Sequence, residues 1–385
     1  MKELQVDTLK TGYRFSQPVF IDENNILVPA MIPIKQKDLD RLKKWKIHVV
    51  RTAGDLLPCE GQGEAGTDPQ TISFANYLKS PVQKEILTVY TGMLENFRRL
   101  QAEIKAQRPV EAAEVDRIVD SVFSLLRRHR DELIQFIFFG SQGESDSAAN
   151  AVNCAVLSGL IGSAFNLPQH RLMQLMTGAL LHDVGMLRVS DEIVGKKGAL
   201  EPVELDKIKA HTIHSFRIIS REMKYPQEIG MIALQHHERW DGEGYPKGIA
   251  GSKISLYSRI VAVADAFEAM ISRRPYRNSM IGYAAMRALL SDNGRRFDPE
   301  VLKVFIKCMG IYPLGSVVLL SNSCIGRVVE TNPDAPLRPK VKIMIDRDGA
   351  MVPNDQGEIV DLDAAKNVFI AKAVDPRNLA GSARG

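Results

Sequence analysis

The 385-residue chain has 45% hydrophobic and 25% charged residues, which is the composition of a globular protein and excludes disorder as its dominant state. Its length exceeds that of one ordinary domain and predicts two or three. The net charge of +4 is small, so the composition calls for neither nucleic acid nor an anionic membrane as partner, although it is compatible with a mildly basic cleft for a phosphate-rich small molecule.

The cysteines and the first residues indicate a reducing, cytoplasmic setting. No CxxC spacing occurs, so the four cysteines are interpreted as reduced thiols and not as a disulfide frame or a zinc site: Cys59, Cys154, Cys308 and Cys324. The N-terminal residues alternate in charge and lack the apolar core of a signal peptide. Apolar stretches such as Leu133–Phe139 fall far short of a bilayer span, so no membrane span is predicted.

Residues 1–66 are predicted to form a small α+β unit. Val19–Ile21 and Ile26–Val28 are short β-like runs separated by turn residues. Asp38–Trp45 has apolar residues at helical spacing, and Ile47–Val50 is predicted to end the unit as a strand.

Residues 67–139 are predicted to be a linker followed by a helical connector. Pro81 suits a first helical turn, and apolar residues follow it at helical spacing: Ile86, Val89, Tyr90, Met93 and Phe97. These residues are interpreted as a packing surface, and a homodimer formed through the connector stays open.

The remaining chain changes from helical to β-like patterning. Residues 140–310 are predicted to be helical, and residues 311–375 to be a small β module with strands Ser316–Leu320, Ile325–Glu330 and Val341–Ile345. The predicted fold class is therefore mainly α, with a helical core between a small N-terminal α+β unit and a small C-terminal β module.

Histidines and carboxylates cluster within the helical region. Six of the eight histidines lie between residues 170 and 237, and the candidate ligands follow in a fixed order: His182, Asp183, His211, His236, His237 and Asp265. Imidazoles mixed with carboxylates suit Fe, Mn or Zn and suit Ca or Mg poorly. The set is typical of a two-metal hydrolytic site in which one carboxylate, here Asp183, bridges two cations. The alternative is that these residues occur in this order by chance, and their occurrence within about 85 residues argues against it.

These residues resemble the signature of the HD-GYP family. The matching segments are His182-Asp183-Val-Gly, the isolated His211, and the eleven residues from His236 to Pro246. The segment around Asp265 and the sequence Arg274-Pro-Tyr-Arg277 are also similar to the family. The resemblance covers residues 140–310.

The resemblance implies a helical core that holds two or three divalent ions, Fe or Mn, and hydrolyses cyclic di-GMP to pGpG or GMP. It implies His182 and Asp183 as catalytic residues, and as metal ligands the six residues His182, Asp183, His211, His236, His237 and Asp265. Arg274, Arg277 and Tyr245 match substrate-contacting positions, and guanidinium groups suit phosphate oxygens or a guanine edge. The loop Asp241–Pro246 is a candidate contact for diguanylate cyclase domains; a plain tight turn is the alternative.

Two positions depart from the family pattern. Asn150 takes the place of a ligand histidine, and an amide oxygen is a weaker ligand than imidazole. Asp146, four residues earlier, matches an extra carboxylate ligand and is a second weaker candidate. Met186 stands where the family carries a phosphate-binding lysine. The half of the site with His182 and Asp265 is therefore expected to hold its metal less tightly, with reduced turnover.

Three functions follow from this pattern. The first is a cyclic di-GMP phosphodiesterase, and the second is a degenerate signalling module that binds the dinucleotide or a partner protein. The third, a phosphohydrolase for another nucleotide, is disfavoured by the Asp241–Pro246 loop together with Arg274 and Arg277. His214, three residues after His211, is interpreted as a neighbour of the site.

Overall fold

The computed structural model describes residues 1–22, 26–28, 34, 36–45, 47–57, 80–139, 146–196, 198–272, 281–353 and 356–375. The chain divides into two compact units. One contains Met1–Asn76 together with Tyr312–Gly385, and the other contains Tyr77–Ile311. The two ends of the chain therefore share one unit, while the exact domain limits given above stay predictions.

The helices of the described residues lie mostly in the unit of residues 77–311, which confirms the mainly α fold class. In chain order they are α1 (Gln36–Lys44), α2 (Pro81–Lys105), α3 (Ala112–Arg128), α4 (Arg130–Phe139), α5 (Ser147–Ala164), α6 (Gln169–Leu181), α7 (Asp191–Val194), α8 (Pro202–Lys209), α9 (His211–Arg217), α10 (Gln227–Gln235), α11 (Leu256–Ile271), α12 (Gly282–Ser291) and α13 (Pro299–Met309). Short 3₁₀ or π segments cover Val6–Thr8, Val184–Arg188, Ile218–Glu222 and Gly251–Lys253.

The strands of the described residues all belong to the unit that joins the two chain ends. They are β1 (Lys2–Gln5), β2 (Arg14–Phe15), β3 (Val19–Phe20), β4 (Ile26–Val28), β5 (Val49–Thr52), β6 (Leu56–Leu57), β7 (Val317–Leu320), β8 (Ile325–Glu330), β9 (Lys340–Ile345), β10 (Ile359–Asp361) and β11 (Ile370–Val374).

The strands form three antiparallel sheets, as the sequence predicted for a small α+β unit and a small β module. The order in the N-terminal sheet is β1-β5-β3-β4, the C-terminal sheet has the order β10-β9-β8-β7-β11, and β2 pairs with β6. The Gln17 amide donates a hydrogen bond of 2.7 Å to the carbonyl oxygen of Asp348, which links the two ends of the chain within this unit.

Helix α5 forms the centre of the helical unit. Most of its residues are Ala, Val, Leu, Ile or Gly, and it packs against α6, α11 and α3. A helix with apolar residues on all its sides buries most of its surface, because none of its faces is mainly polar. Among the described residues α5 is also the one helix long and apolar enough to cross a membrane, and 72% of it is buried inside the protein.

The connector helix α2 packs into the same unit. It begins where the sequence predicted, with Pro81 in its first turn and a capping box between Ser80 and Gln83. Tyr90 and Phe97 of its apolar stripe are buried, and α2 contacts α3, α4 and α5.

A chain of buried polar side chains joins α2 to α11 through α5. The Tyr90 hydroxyl donates to Oδ1 of Asn153 at 2.8 Å, and the Asn153 amide donates to Oε1 of Glu268 at 3.2 Å. All three side chains are nearly inaccessible to solvent. Asn153 and Glu268 each lie three residues after a candidate site residue, Asn150 and Asp265, so the chain lies directly behind the site.

Candidate metal centre

Helix ends bring the predicted ligands together. His182 follows the last residue of α6, His211 begins α9, and His236 and His237 follow α10. Asp265 lies within α11. Because several helix ends converge on one point, residues far apart in the sequence can share one small pocket.

Four ligand atoms form the tightest group. One ligand atom from each of Asp183, His211, His236 and His237 lies within 4.8 Å of all the others. Oδ1 of Asp183 is 3.1 Å from Nε2 of His211 and 3.4 Å from Nε2 of His236.

The other carboxylate oxygen of Asp183 faces a second group. Its Oδ2 lies 3.5 Å from Nε2 of His182, which in turn lies 3.8 Å from Oδ1 of Asp265. Asp183 therefore offers one oxygen to each half of the cluster, as a carboxylate that bridges two cations must do.

Three histidines are held by the same kind of hydrogen bond to the backbone. Nδ1 of His182, His211 and His236 lies 2.7–2.8 Å from the carbonyl oxygen three residues earlier in the chain. A carbonyl oxygen can only accept a hydrogen bond, so Nδ1 carries the proton and donates it. Such a bond fixes the ring and its tautomer, as the outer partners of metal-binding histidines do.

The opposite ring nitrogens point into the cluster. Nε2 of His182, His211 and His236 is buried, and none has a hydrogen-bond partner among the residues that the structure describes. The short distances from His211 and His236 to Asp183 therefore bring an imidazole lone pair towards a carboxylate oxygen. Two acceptors this close need a cation or a proton between them.

The pKa values favour a cation at His236 and His237. Burial lowers the pKa of both imidazoles, that of His237 well below its usual value, so both are neutral ligands at neutral pH. Burial acts to raise the pKa of Asp183, but the neighbouring imidazoles, His182 above all, together outweigh it and hold the pKa well below its usual range. The Asp183 side chain is nevertheless 49% exposed, so part of the carboxylate stays accessible to solvent or a ligand.

His182 and Asp265 form an opposed pair of charges. Burial lowers the pKa of His182, but the neighbouring groups, Asp183 above all, together more than offset this and raise the pKa well above its usual value. Burial raises the pKa of Asp265, but the combined effects of the neighbouring groups, chiefly His182, outweigh it and bring the pKa to about 2. The two carboxylates therefore draw positive charge to this point, which a divalent ion can supply.

The loop after His237 closes one side of the pocket. Glu238 is buried, and its two carboxylate oxygens accept the backbone N–H groups of Lys247 at 2.8 Å and Ile249 at 3.1 Å. Gly244 passes so close to the preceding chain that an added Cβ would lie 2.3 Å from the backbone nitrogen of Arg239. This close approach places the Tyr245 ring 4.8 Å from that of His237, at an interplanar angle of 31°.

Both weaker ligand candidates have partners in the protein. Asp146 caps α5 by accepting from the backbone N–H of Ala148 at 3.0 Å and forms an ion pair with Arg98. With its amide nitrogen oriented as the donor, Asn150 lies 3.1 Å from Oε1 of Glu268. The Asn150 side chain is therefore engaged with α11, next to the half of the site that contains Asp265.

The remaining predicted site residues have different outcomes. Arg274 and Arg277 lie outside the described residues. Met186 lies in the 3₁₀ segment that follows Asp183, and His214 lies one turn after His211 in α9. Sequence reasoning missed Lys209 and Arg296, which line the pocket beside His236 and His237. The position of Lys209 two residues before a ligand histidine was a signal that could have identified it.

A divalent metal ion fits the residues that are present. The buried Nε2 atoms directed at an ionised carboxylate have the chemistry of a transition-metal site, and the consecutive His182 and Asp183 at a helix end define the class of HD domains. Comparison with known families agrees: residues 133–301 match the HD domain, and residues 317–382 match the KOW domain associated with HD domains.

Curated proteins extend this similarity to most of the chain. A cyclic di-GMP phosphodiesterase of Thermotoga maritima is 32% identical over 311 residues, which cover 79% of this chain and 83% of that protein. The cyclic di-GMP phosphodiesterase PA4108 of Pseudomonas aeruginosa is 32% identical over 256 residues, 66% of this chain and 61% of the relative's length. Among solved structures, Bd1817 of Bdellovibrio bacteriovorus, described as an HDG"Y"P protein, has a TM-score of 0.45 at 16% identity, covering 79% of this chain and 97% of that one. The chain belongs to the HD-GYP family of HD-domain proteins.

Proposed function

We propose that the protein is a metal-dependent phosphodiesterase that hydrolyses cyclic di-GMP to pGpG or GMP. The observation that carries the proposal is the set of three buried imidazoles with Nδ1 bonded to the backbone and Nε2 directed inwards. A hydrogen-bonded core histidine would have a partner at both ring nitrogens. Here the inner nitrogen is left available for a metal ion.

The proposed ligands divide into two groups around Asp183. His211, His236 and His237 with Oδ1 would hold one divalent ion, and His182 and Asp265 with Oδ2 a second. Fe and Mn suit this mixture of imidazole and carboxylate, and the second ion is expected to be the weaker one. When bound, such ions lower the pKa of water and polarise phosphate oxygens, which is the chemistry that phosphodiester hydrolysis needs.

The protein residues prepare this site in three ways. The backbone bonds to Nδ1 fix the imidazoles before any ion binds, so little reorganisation is needed on binding. The low pKa of Asp183 keeps a negative charge available to bridge two cations. Tyr245, stacked on His237, gives the pocket an aromatic wall beside which a guanine base could pack.

The relatives support cyclic di-GMP as the substrate. Both curated relatives described above are named for its hydrolysis, and the longer alignment spans 83% of the Thermotoga protein. Contact of the Asp241–Pro246 loop with diguanylate cyclase domains and formation of a homodimer stay predictions.

The proposal is tested by measuring metal and turnover on the same preparation. The full chain is purified without oxygen, its Fe and Mn per chain are measured, and conversion of cyclic di-GMP is followed with each ion added. Asp183→Ala should lose metal and turnover together, because both groups of ligands share that carboxylate.

His170→Ala is the matched control, since His170 is an exposed histidine of α6 outside the cluster. It should retain the metal content and activity of the unaltered protein. Metal-loaded protein that binds the dinucleotide tightly but never cleaves it would instead identify a signalling module.

A further inference from the structure

The pocket at the metal centre has a cationic wall. It has a volume of about 310 Å³, and its walls include His236, His237 and Tyr245. Three cationic side chains also line it: Lys209, Arg239 and Arg296. Their partners in the protein decide which of them can act on a ligand.

Arg239 is already neutralised. Its Nε lies 3.0 Å and its terminal nitrogen 2.6 Å from the two carboxylate oxygens of Asp241. This fork-to-carboxylate pair satisfies the guanidinium group and fixes the start of the loop. Arg239 is therefore a structural residue of the loop.

Lys209 has no such counter-charge. It is the last residue of α8, it is partly buried, and no hydrogen bond or ion pair links its ammonium group to any described residue. Nζ lies 5.6 Å from the centre of the Tyr245 ring, which also contacts the rings of His237 at 4.8 Å and His211 at 6.4 Å. Lys209 and the candidate metal ligand His237 therefore contact the same aromatic ring.

Arg296 lines the same pocket and lies in the segment between α12 and α13. The backbone N–H groups of Trp240 and Asp241 donate to the carbonyl oxygens of Arg296 and Arg295, at 3.1 and 2.8 Å. These bonds attach residues 295–296 to the loop that carries Tyr245. The Arg296 side chain lies over the Phe297 ring at 5.1 Å and makes no ion pair with a described residue.

The acidic residues of the pocket do not cancel these two charges. Glu238 is buried and accepts two backbone N–H groups of the loop, so its carboxylate is occupied. Glu243 is exposed at the rim. A partly buried lysine without a carboxylate partner is uncommon in a structural role, because a structural ammonium group is normally paired or fully hydrated.

We propose that Lys209 and Arg296 bind the phosphate oxygens of the anionic substrate beside the metal centre. The inference rests on the proposed function for the identity of that substrate, a phosphodiester. An ammonium point charge and a planar guanidinium group that line the same pocket can both donate hydrogen bonds to the oxygens of one phosphate. The metal ligands remain intact when either residue is changed, so binding of phosphate can be separated from binding of metal.

The test compares Lys209→Met and Arg296→Gln with Lys207→Met, all as full-length chains loaded with Mn. Lys207 is an exposed lysine of the same helix that does not line the pocket, so its substitution makes the same charge change elsewhere. The first readout is the affinity for inorganic phosphate, measured from the paramagnetic broadening of its ³¹P resonance by the bound Mn. The second is the KM for cyclic di-GMP at constant metal content.

Each pocket variant should weaken phosphate binding and raise the KM about 10-fold, the usual size of one charged hydrogen bond at a partly exposed site. Metal content and the Lys207→Met values should stay within about twofold of the unaltered protein, a margin set by the small effect of surface charges. Lys209→Arg should restore most of the binding.

Unchanged phosphate affinity in both pocket variants, or no phosphate binding by the unaltered protein, overturns the inference whether or not cyclic di-GMP is cleaved. If phosphate binding depends on Lys209 while cyclic di-GMP is never cleaved, the inference stands and the proposed function fails.

Discussion

Gly185 offers a direct test of how the 3₁₀ segment after Asp183 positions the metal ligands. A Cβ at this residue would lie 2.0 Å from the carbonyl oxygen of His211 and 2.5 Å from the backbone nitrogen of Ser215. Both are backbone atoms of α9 and cannot rotate away. Gly185→Ala must therefore separate the segment that begins with Asp183 from the helix that begins with His211.

The size of this effect follows from the contact distances. Ordinary contact begins near 3.4 Å, so the two segments must separate by about 1.4 Å. That shift also lengthens the 2.8 Å hydrogen bond from the Gly185 N–H to Oγ of Ser215. Overpacking of this kind costs about 2–3 kcal/mol of unfolding free energy. Moving His211 away from Asp183 should also weaken metal binding.

The assay is urea unfolding of the chelated protein together with metal content per chain after reconstitution. Gly92→Ala is the control, because Gly92 lies inside α2 and an added Cβ meets no atom within 4 Å. It should be stabilising by about 0.5–1 kcal/mol, since alanine favours a helix more than glycine does. If Gly185→Ala unfolds at the same urea concentration as the unaltered protein and retains its metal, the proposed contact between the two segments is not what holds the site.

Three further predictions concern the metal centre and the residues behind it. Asn150→His should raise the occupancy of the weaker metal position, because imidazole is the better ligand; equal metal content in both proteins would show that Asn150 is misaligned with the family histidine. Tyr90→Phe should lower the unfolding free energy by about 1–3 kcal/mol, measured by urea unfolding, since it leaves the buried Oδ1 of Asn153 without its donor. Removing the metal with a chelator should lower the melting temperature by about 5–10 °C, and adding Mn should restore it. The reason is that an ion at 100 times its Kd stabilises the folded state by about 2.7 kcal/mol. An equal melting temperature with and without metal would contradict tight binding.

The spacing of apolar residues predicted the helices and strands that bury one face and expose the other. The apolar stripe after Pro81 became α2, and the segments Ile325–Glu330 and Val341–Ile345 became the strands β8 and β9. In these elements one face contacts the core and the other contacts solvent, so the pattern is visible in the sequence. The C-terminal sheet also contains β10 and β11, which the sequence did not reveal because their residues are short runs of partly exposed positions.

The candidate ligands were also visible in the sequence, but their arrangement was not. Spacing indicated that Asp183 and the histidines belong to one site. Which oxygen of Asp183 faces which imidazole depends on how the helix ends meet, and no local pattern encodes that. The partners of Asn150 were invisible for the same reason, since Glu268 lies 118 positions further along the chain.

The buried hydrogen bonds from Tyr90 through Asn153 to Glu268 connect α2 to α11 through α5. Neither helix can slide or rotate against the other without exposing an amide or a carboxylate to an apolar interior. A shift of α2 along its axis would therefore strain hydrogen bonds that end on α11, the helix of Asp265. The hydrogen-bonded chain that starts on α2 ends at Glu268, one helical turn from the candidate metal ligand Asp265.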